Sequence, residues 1–225
     1  RLALPRAVED ECDAVLARRT RCPNFQTGRP LSLALLARLM QRVFAARAAV
    51  AIQDDAVFLK KNAPSGGGLH ATEAYLLARD VEGLAPGLYH YHAVDHALEP
   101  LPVPDAPLDA LSQRMLAGQH WFAAAPAQVM LAPRYARSFW KYRNHPKAYR
   151  ALLLDVGHLS QTLCLSATDL GLGAFVTSAI NEADIEQAFG MDPLVEGPLA
   201  VCGFGWRADT MSTTEFDPTG EVWGR

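Results

Sequence analysis

The chain has 225 residues, 50% of them apolar and 20% charged, with a formal net charge of -3. Those figures predict a single globular domain over residues 1–225, with a sizeable core and no long disordered tract. They argue against a nucleic-acid partner, whose affinity would rest on neutralised phosphates, and no apolar run reaches the roughly 18 residues of a membrane span.

The first apolar-periodic segment, residues 6–18, ends in "ARRTRCPNF", where Pro23 and Asn24 break the helix. A second begins at "PLSLALLARLMQRVFAARAAV". There Leu35, Leu36, Leu39, Met40, Val43 and Phe44 recur at helical spacing opposite Arg38, Gln41 and Arg42. "KKNAPSGGGLHATEAYLLARD" follows, a Pro-Ser-Gly-Gly-Gly turn feeding a short apolar run. "PGLYHYHAVDHALEPL" predicts a hairpin, with Leu88, His90 and His92 alternating against Tyr89 and Tyr91 and a bend at Val94-Asp95-His96. After a Pro-rich connector come a short helix near Leu108 to Gly118 and a strand, "AQVMLA".

Next is "PRYARSFWKYRNHPKAYR", where Arg134, Arg137, Lys141, Arg143, Lys147 and Arg150 sit among aromatic residues. The longest periodic segment, Lys147 to Leu170, carries Leu152, Val156, Leu159, Leu163 and Ala167 on one stripe and stops at Gly171. Strand "GAFVTSA", helix "EADIEQAFG" and strand "PLAVCGFGW" complete the pattern. Helices and hairpin strands interleave without a regular βαβ rhythm, so the expected class is α+β.

Taken singly, the chemical signals are weak. His90, His92 and His96 lack a convincing further ligand, so no metal is expected. "PSGGG" lacks both the Gly-Lys-Ser ending of a phosphate loop and the context of a dinucleotide fingerprint. Arg18, Arg19 and Arg21 suit a phosphate or a solvated helix end. Lys141 and Tyr142 suit proton transfer, although free Lys and Tyr titrate near about 10.4 and 10. Cys12, Cys22, Cys164 and Cys202 form no C-x-x-C pair and are expected as reduced thiols of a cytoplasmic protein. The chain opens on Arg1, and an upstream segment is expected to be missing.

In this order, the segments resemble the nitroreductase-like flavin family and its SagB-type branch, the azoline dehydrogenases, with peptide maturation dehydrogenases most similar. "RRTRCPNF" is similar to the family's Arg-x-Ser-x-Arg loop. "APSGGGLHATEAYL" resembles the branch's Pro-Ser-x-Gly-x-x-His-x-x-Glu-x-Tyr signature, and "GLAPGLYHYHAVDHALEPL" its Gly-Leu-Tyr-x-Tyr stretch. "WKYRNHPKAYRALLLDVGHLSQ" resembles its Lys-Tyr motif and the helix after it. Thr20 stands where the family has serine, the arginines fit two registers, and "RNHPK" is longer and more basic than the usual link.

The resemblance implies a mixed, largely antiparallel sheet flanked by helices, and a homodimer on the long central helix with FMN between subunits. Arg18, Arg19, Thr20 and Arg21 would hold the flavin phosphate. Pro64, Ser65, Gly66 and Gly67 would reach the flavin from the partner, with Ser178 and Ala179 near its ring system. Lys141 and Tyr142 would be the base in oxidation of thiazoline or oxazoline rings in a ribosomally made peptide, alongside a cyclodehydratase. Adjacent helical residues diverge by about 100°, so both can face one substrate only if their segment is irregular. Two alternatives stand: an NAD(P)H-dependent reductase of nitro, quinone or dehydroamino-acid substrates, and a non-catalytic peptide- or RNA-binding protein using the basic aromatic stretch.

Overall fold

The computed structural model describes residues 1–5, 8–53, 56–103 and 105–224. Helix α1 (Glu11–Arg18) begins inside the expected 6–18 segment. Asp10 accepts from the backbone of Cys12 and Asp13 while Asp13 bonds back to Asp10, a reciprocal cap that fixes the start. Residues 6–7 lie outside the described residues. Strand β1 (Leu31–Ser32) runs into α2 (Leu33–Val43), which Ser32 caps. The hairpin β2 (Ala48–Gln53) and β3 (Ala56–Lys60) comes next, where the sequence pattern continued the helix.

The main sheet collects β4 (Thr72–Ala78), β6 (Gly87–His92), β7 (Ala97–Leu101), β8 (Ala127–Pro133), β9 (Gly173–Thr177) and β10 (Ala200–Gly205). Their order is β7-β6-β4-β8-β10-β9, and every neighbouring pair is antiparallel. Among the described residues, β1 and β5 (Val81–Glu82) form the one parallel strand pair, apart from a parallel bridge between Arg21 and Ala174. Helices α3 (Leu108–Met115), α4 (Tyr135–Tyr142), α5 (Lys147–Asp169) and α6 (Glu182–Phe189) complete the expected α+β fold.

The central strands are mostly apolar because both faces of the sheet are covered. Ala74 and Leu76 of β4, with Val129 and Leu131 of β8, face a core shared with α2 and α5. Tyr75, Leu77, Met130 and Ala132 face the opposite core, with α3, α6, Phe122 and Phe175. Phe122 and Phe175 stack at 3.9 Å, and truncating either would cost about 3–5 kcal/mol. Helix α5 buries Leu152, Val156, Leu159, Leu163 and Ala167 in the chain's own core. The long apolar stripe therefore needs no second subunit; only Tyr149, Leu153 and Leu154 remain as exposed apolar residues on that helix. Among the described residues no helix is long and apolar enough to cross a membrane.

Candidate active site

The Pro-Ser-Gly-Gly-Gly segment joins β3 to β4 as a tight turn over Gly66–Gly68. Gly67 (φ 66°) and Gly68 (φ 72°) occupy the left-handed region open to glycine. His70 shares that conformation at φ 46°, a strain of about 1–3 kcal/mol for a residue with a Cβ, so its surroundings must hold it. They do so through Asp155, which α5 carries on its buried face. Its Oδ2 accepts from the Ser65 hydroxyl at 2.5 Å, and its Oδ1 from the Gly66 N–H at 2.8 Å. Ser65 Oγ in turn accepts the His70 N–H at 2.8 Å. His158, one turn further along, donates from Nδ1 to the Pro64 carbonyl at 3.2 Å, since that oxygen can only accept. Asp155 is absent from the expected site. Its signal was an acid placed on an apolar stripe, which burial demands be hydrogen-bonded.

Lys141 and Tyr142 end α4 above this turn. Lys141 Nζ donates to the Gly67 carbonyl at 3.4 Å. A Cβ added at Gly67 would lie 2.9 Å from Lys141 Nζ and 2.9 Å from the Tyr142 hydroxyl, so both groups close on one point. Contrary to the expected irregularity, α4 is a regular helix through Tyr142. Two long side chains make up the angular difference, and the absence of a side chain at Gly67 admits them.

Behind the turn lies a charged shell. Burial alone would raise the Glu73 carboxyl, but a hydrogen bond from His90 and the charges of Arg137 and Lys61 outweigh it and bring it to about 2. Arg137 pairs with Glu73 at 2.9 Å and also donates to the His70 carbonyl at 3.0 Å. Burial, with the Lys61 charge next, lowers the His70 imidazole to about 4. Thus Arg137 links the helix of the Lys-Tyr pair to the turn beneath it.

The basic aromatic stretch is mostly exposed, but four of its six cations reach acceptors of the chain. Besides Arg137 and Lys141, Arg134 approaches Glu196 at 3.8 Å, and Arg143 donates to the Trp140 carbonyl at 2.7 Å. His90, His92 and His96 likewise take separate partners, Glu73 at 3.4 Å, Asp95 at 3.0 Å and the Tyr91 hydroxyl at 2.6 Å.

The arginine loop occupies another part of the molecule. Arg18 Nε donates to the Ala14 carbonyl, and Thr20 accepts from Arg207 at 3.1 Å. Arg207 is also paired with Glu215 and went unnoticed in the sequence, where it is only the cation following β10. Arg21 bridges to Ala174 of β9 and lies over the Phe122 ring, while the Arg19 charge acts on Cys164 of α5. Among the described residues Arg19 and Arg21 have no carboxylate within ion-pair distance, a donor set that suits an anion. Ser178 and Ala179 follow β9, and Gln119 donates to the Ala179 carbonyl. Within one chain the loop of Ser65, the Lys-Tyr pair and Asp155 come together; the arginine loop lies towards the other end of α5.

An antiparallel sheet cased in helices, with a glycine turn clamped to the longest helix beside a lysine-tyrosine pair, defines an α+β enzyme domain. The chain belongs to the Nitroreductase family, whose model matches residues 16–206, and is thus an oxidoreductase. It is 29% identical over 177 residues to the trifolitoxin-processing protein TfxB of Rhizobium leguminosarum bv. trifolii, covering 76% of this chain and 46% of that one. It is 26% identical over 187 residues to the microcin B17-processing protein McbC of Escherichia coli, covering 81% of this chain and 65% of that one. The chain thus spans about half to two thirds of these relatives. Its fold matches a chain of the E. coli microcin synthetase McbBCD complex with truncated pro-MccB17 bound, with a TM-score of 0.70 and 23% identity over 91% of this chain and 76% of that one.

Proposed function

We propose that this chain is an FMN-dependent, SagB-type dehydrogenase that oxidises thiazoline or oxazoline rings to thiazoles or oxazoles in a ribosomally synthesised peptide. The observation that carries this reading is the convergence of Lys141 and Tyr142 on Gly67. Relatives named for processing trifolitoxin and microcin B17 support the substrate class, and the synthetase complex with truncated pro-MccB17 bound supports a partner enzyme, here proposed to be a cyclodehydratase. The unpaired cysteines agree with a cytoplasmic site of action.

The residues present fit a phosphorylated flavin. Arg19 and Arg21, with Arg18 and Thr20 beside them, would take the phosphate. Pro64, Ser65, Gly66 and Gly67 would approach the ring system from a partner subunit, with Ser178 and Ala179 on its other side. The bound flavin would supply a hydride acceptor. Lys141 Nζ or the Tyr142 hydroxyl, as the free base, would accept the proton from the ring Cα while the hydrogen on the neighbouring carbon leaves with its electron pair. Asp155, through Ser65 and Gly66, would hold the turn against which that base is placed. The homodimer would form on the exposed Tyr149, Leu153 and Leu154 face of α5, 54%, 47% and 57% exposed in the single chain.

Stopped-flow reduction of the flavin by an azoline-containing peptide tests the reading. Lys141→Ala or Tyr142→Phe should keep the flavin and slow its reduction by about 10² to 10⁴-fold, the usual contribution of a general base. The loss should fall on the rate constant at saturating peptide. Normal reduction rates in both variants would remove the pair from the mechanism.

A further inference from the structure

Two clefts beside the glycine turn join into one groove. The first, about 330 Å³, has Phe58, Gly68, Leu69 and Trp140 in its walls, next in sequence to Gly67 and Lys141. The second, about 350 Å³, runs from there towards Lys61, Glu73, His90 and Arg134. Val57, Leu69 and Arg137 line both. The near end is aromatic, with Phe58 and Trp140 packed edge to face at 6.2 Å and Trp140 still 52% exposed. Along the far half, Val57 and Leu59 share one face of β3, and Lys61 lines the cleft just past the end of that strand.

The far end has an unanswered charge. Lys61 is only 6% exposed, yet among the described residues its ammonium has neither a hydrogen-bond acceptor nor a carboxylate within ion-pair distance. Glu73, the carboxylate nearest in the cleft, is already held by Arg137 at 2.9 Å and by His90 at 3.4 Å. With no acceptor offered by the chain, the ammonium is left to whatever enters the cleft, whose walls add Arg134 and Arg137 of the same sign. Burial pulls Lys61 below the ordinary lysine range, partly offset by Glu73, and an arriving anion would favour its charged form.

We propose that this groove is the peptide site: the ring to be oxidised lies at the Trp140 end, and a carboxylate of the same extended peptide pairs with Lys61 and Arg134 at the other. The inference rests on the peptide-oxidation reading and adds a preference for acidic peptides to it. The carboxylate is a side chain or the peptide's own terminus, and the two sources are separable by experiment.

Calorimetry on the flavin-loaded chain measures binding without turnover, using three probes that contain no azoline. These are acetyl-Gly-Phe-Gly-Asp-Gly-amide, its Asp→Asn analogue, and the Asn peptide with a free C-terminal carboxylate. One of the two acidic probes should bind at least about tenfold more tightly than the neutral one, and which of them does so identifies the source. Lys61→Met should abolish that preference while the protein melts no lower, because the buried stem is replaced by an apolar chain of similar length and the charge removed has no partner in the chain. Arg134→Gln, at an exposed position, should reduce the preference by a smaller factor, and it keeps the test decisive if Lys61→Met fails to fold. Equal affinity for all three probes in the unmodified protein would overturn the proposal. So would an unchanged preference in both variants, or a Lys61→Met protein that loses its dimer but not its preference, which would mark the groove as a subunit contact. Because no probe can be oxidised, failure of the dehydrogenase reading would appear in the stopped-flow experiment and not here.

Discussion

Replacing Asp155 by alanine removes the acceptor of two short hydrogen bonds, from Ser65 at 2.5 Å and Gly66 at 2.8 Å, at a buried position. Hydrogen bonds to a charged group contribute about 1.5–3 kcal/mol each, and relief of the buried carboxylate's desolvation offsets part of the sum. His158 Nδ1, at 3.9 Å, is too distant to bond. A net loss of about 2–4 kcal/mol follows, or roughly 4–16 °C in melting temperature for a domain of this size. The local effect should exceed the global one. Without the clamp, His70 can leave its strained conformation and the Gly67 carbonyl can move away from Lys141. Flavin reduction should then slow in the folded fraction. Asp155→Asn is the discriminating variant. Its amide oxygen still accepts from Gly66 while its NH₂ donates to Ser65, whose oxygen has a second lone pair, so most of the stability and rate should return. Alanine and asparagine variants with melting temperature and reduction rate both unchanged would refute the reasoning.

The double substitution Arg19→Ala and Arg21→Ala should release the flavin and leave the far-ultraviolet circular dichroism unchanged, since neither side chain pairs with a carboxylate among the described residues. Acid stability should fall in two limbs when melting temperature is followed against pH. His70, lowered to about 4 from 6.5, is neutral when folded and protonates first in the unfolded chain, so its cost begins as pH drops below 6.5 and is complete near 4. Glu73, lowered to about 2 from 4.5, contributes stability present above 4.5 and lost on the way to 2; His70→Gln should flatten only the upper limb. Gly157→Leu tests the dimer, because a Cβ there meets nothing within the chain while the helix gains about 1 kcal/mol in propensity. A well-folded monomer that has lost its flavin is expected by sedimentation, and an intact flavin-loaded dimer would count against that face.

Much of the fold was legible because its elements bury regular patterns. The hairpin of β6 and β7 alternates, and α5 keeps a helical stripe for its full length. The hairpin of β2 and β3 escaped for a physical reason. Ala48 to Ala51 are exposed on both strand faces and alanine is the strongest helix former, so neither alternation nor propensity marked a strand. Its tip, residues 54–55, lies outside the described residues. At the site, sequence order singled out Lys141, Tyr142 and the glycine turn, and the fold brings them together. Asp155 and Arg207 were missed because each acts through partners far along the chain, Ser65 for one and Thr20 for the other.

Helix α5 sets how these parts can cooperate. Asp155 fixes the glycine turn near its first half, while the arginine loop lies by Cys164, nine residues on and about 14 Å along the axis at 1.5 Å per residue. A flavin held by both loops of one chain would have to cover that span around the outside of the helix. The proposed dimer changes the arithmetic. If two copies of α5 cross antiparallel at Gly157, position 155 of one stands level with position 159 of the other. That is five residues, or about 8 Å, from the partner's Cys164. The turn of one subunit then comes axially nearer to its partner's arginine loop than to its own. With that crossing, the cross-subunit flavin site that the family resemblance implies would be the shorter one to span, and flavin binding and dimerisation would then be lost together.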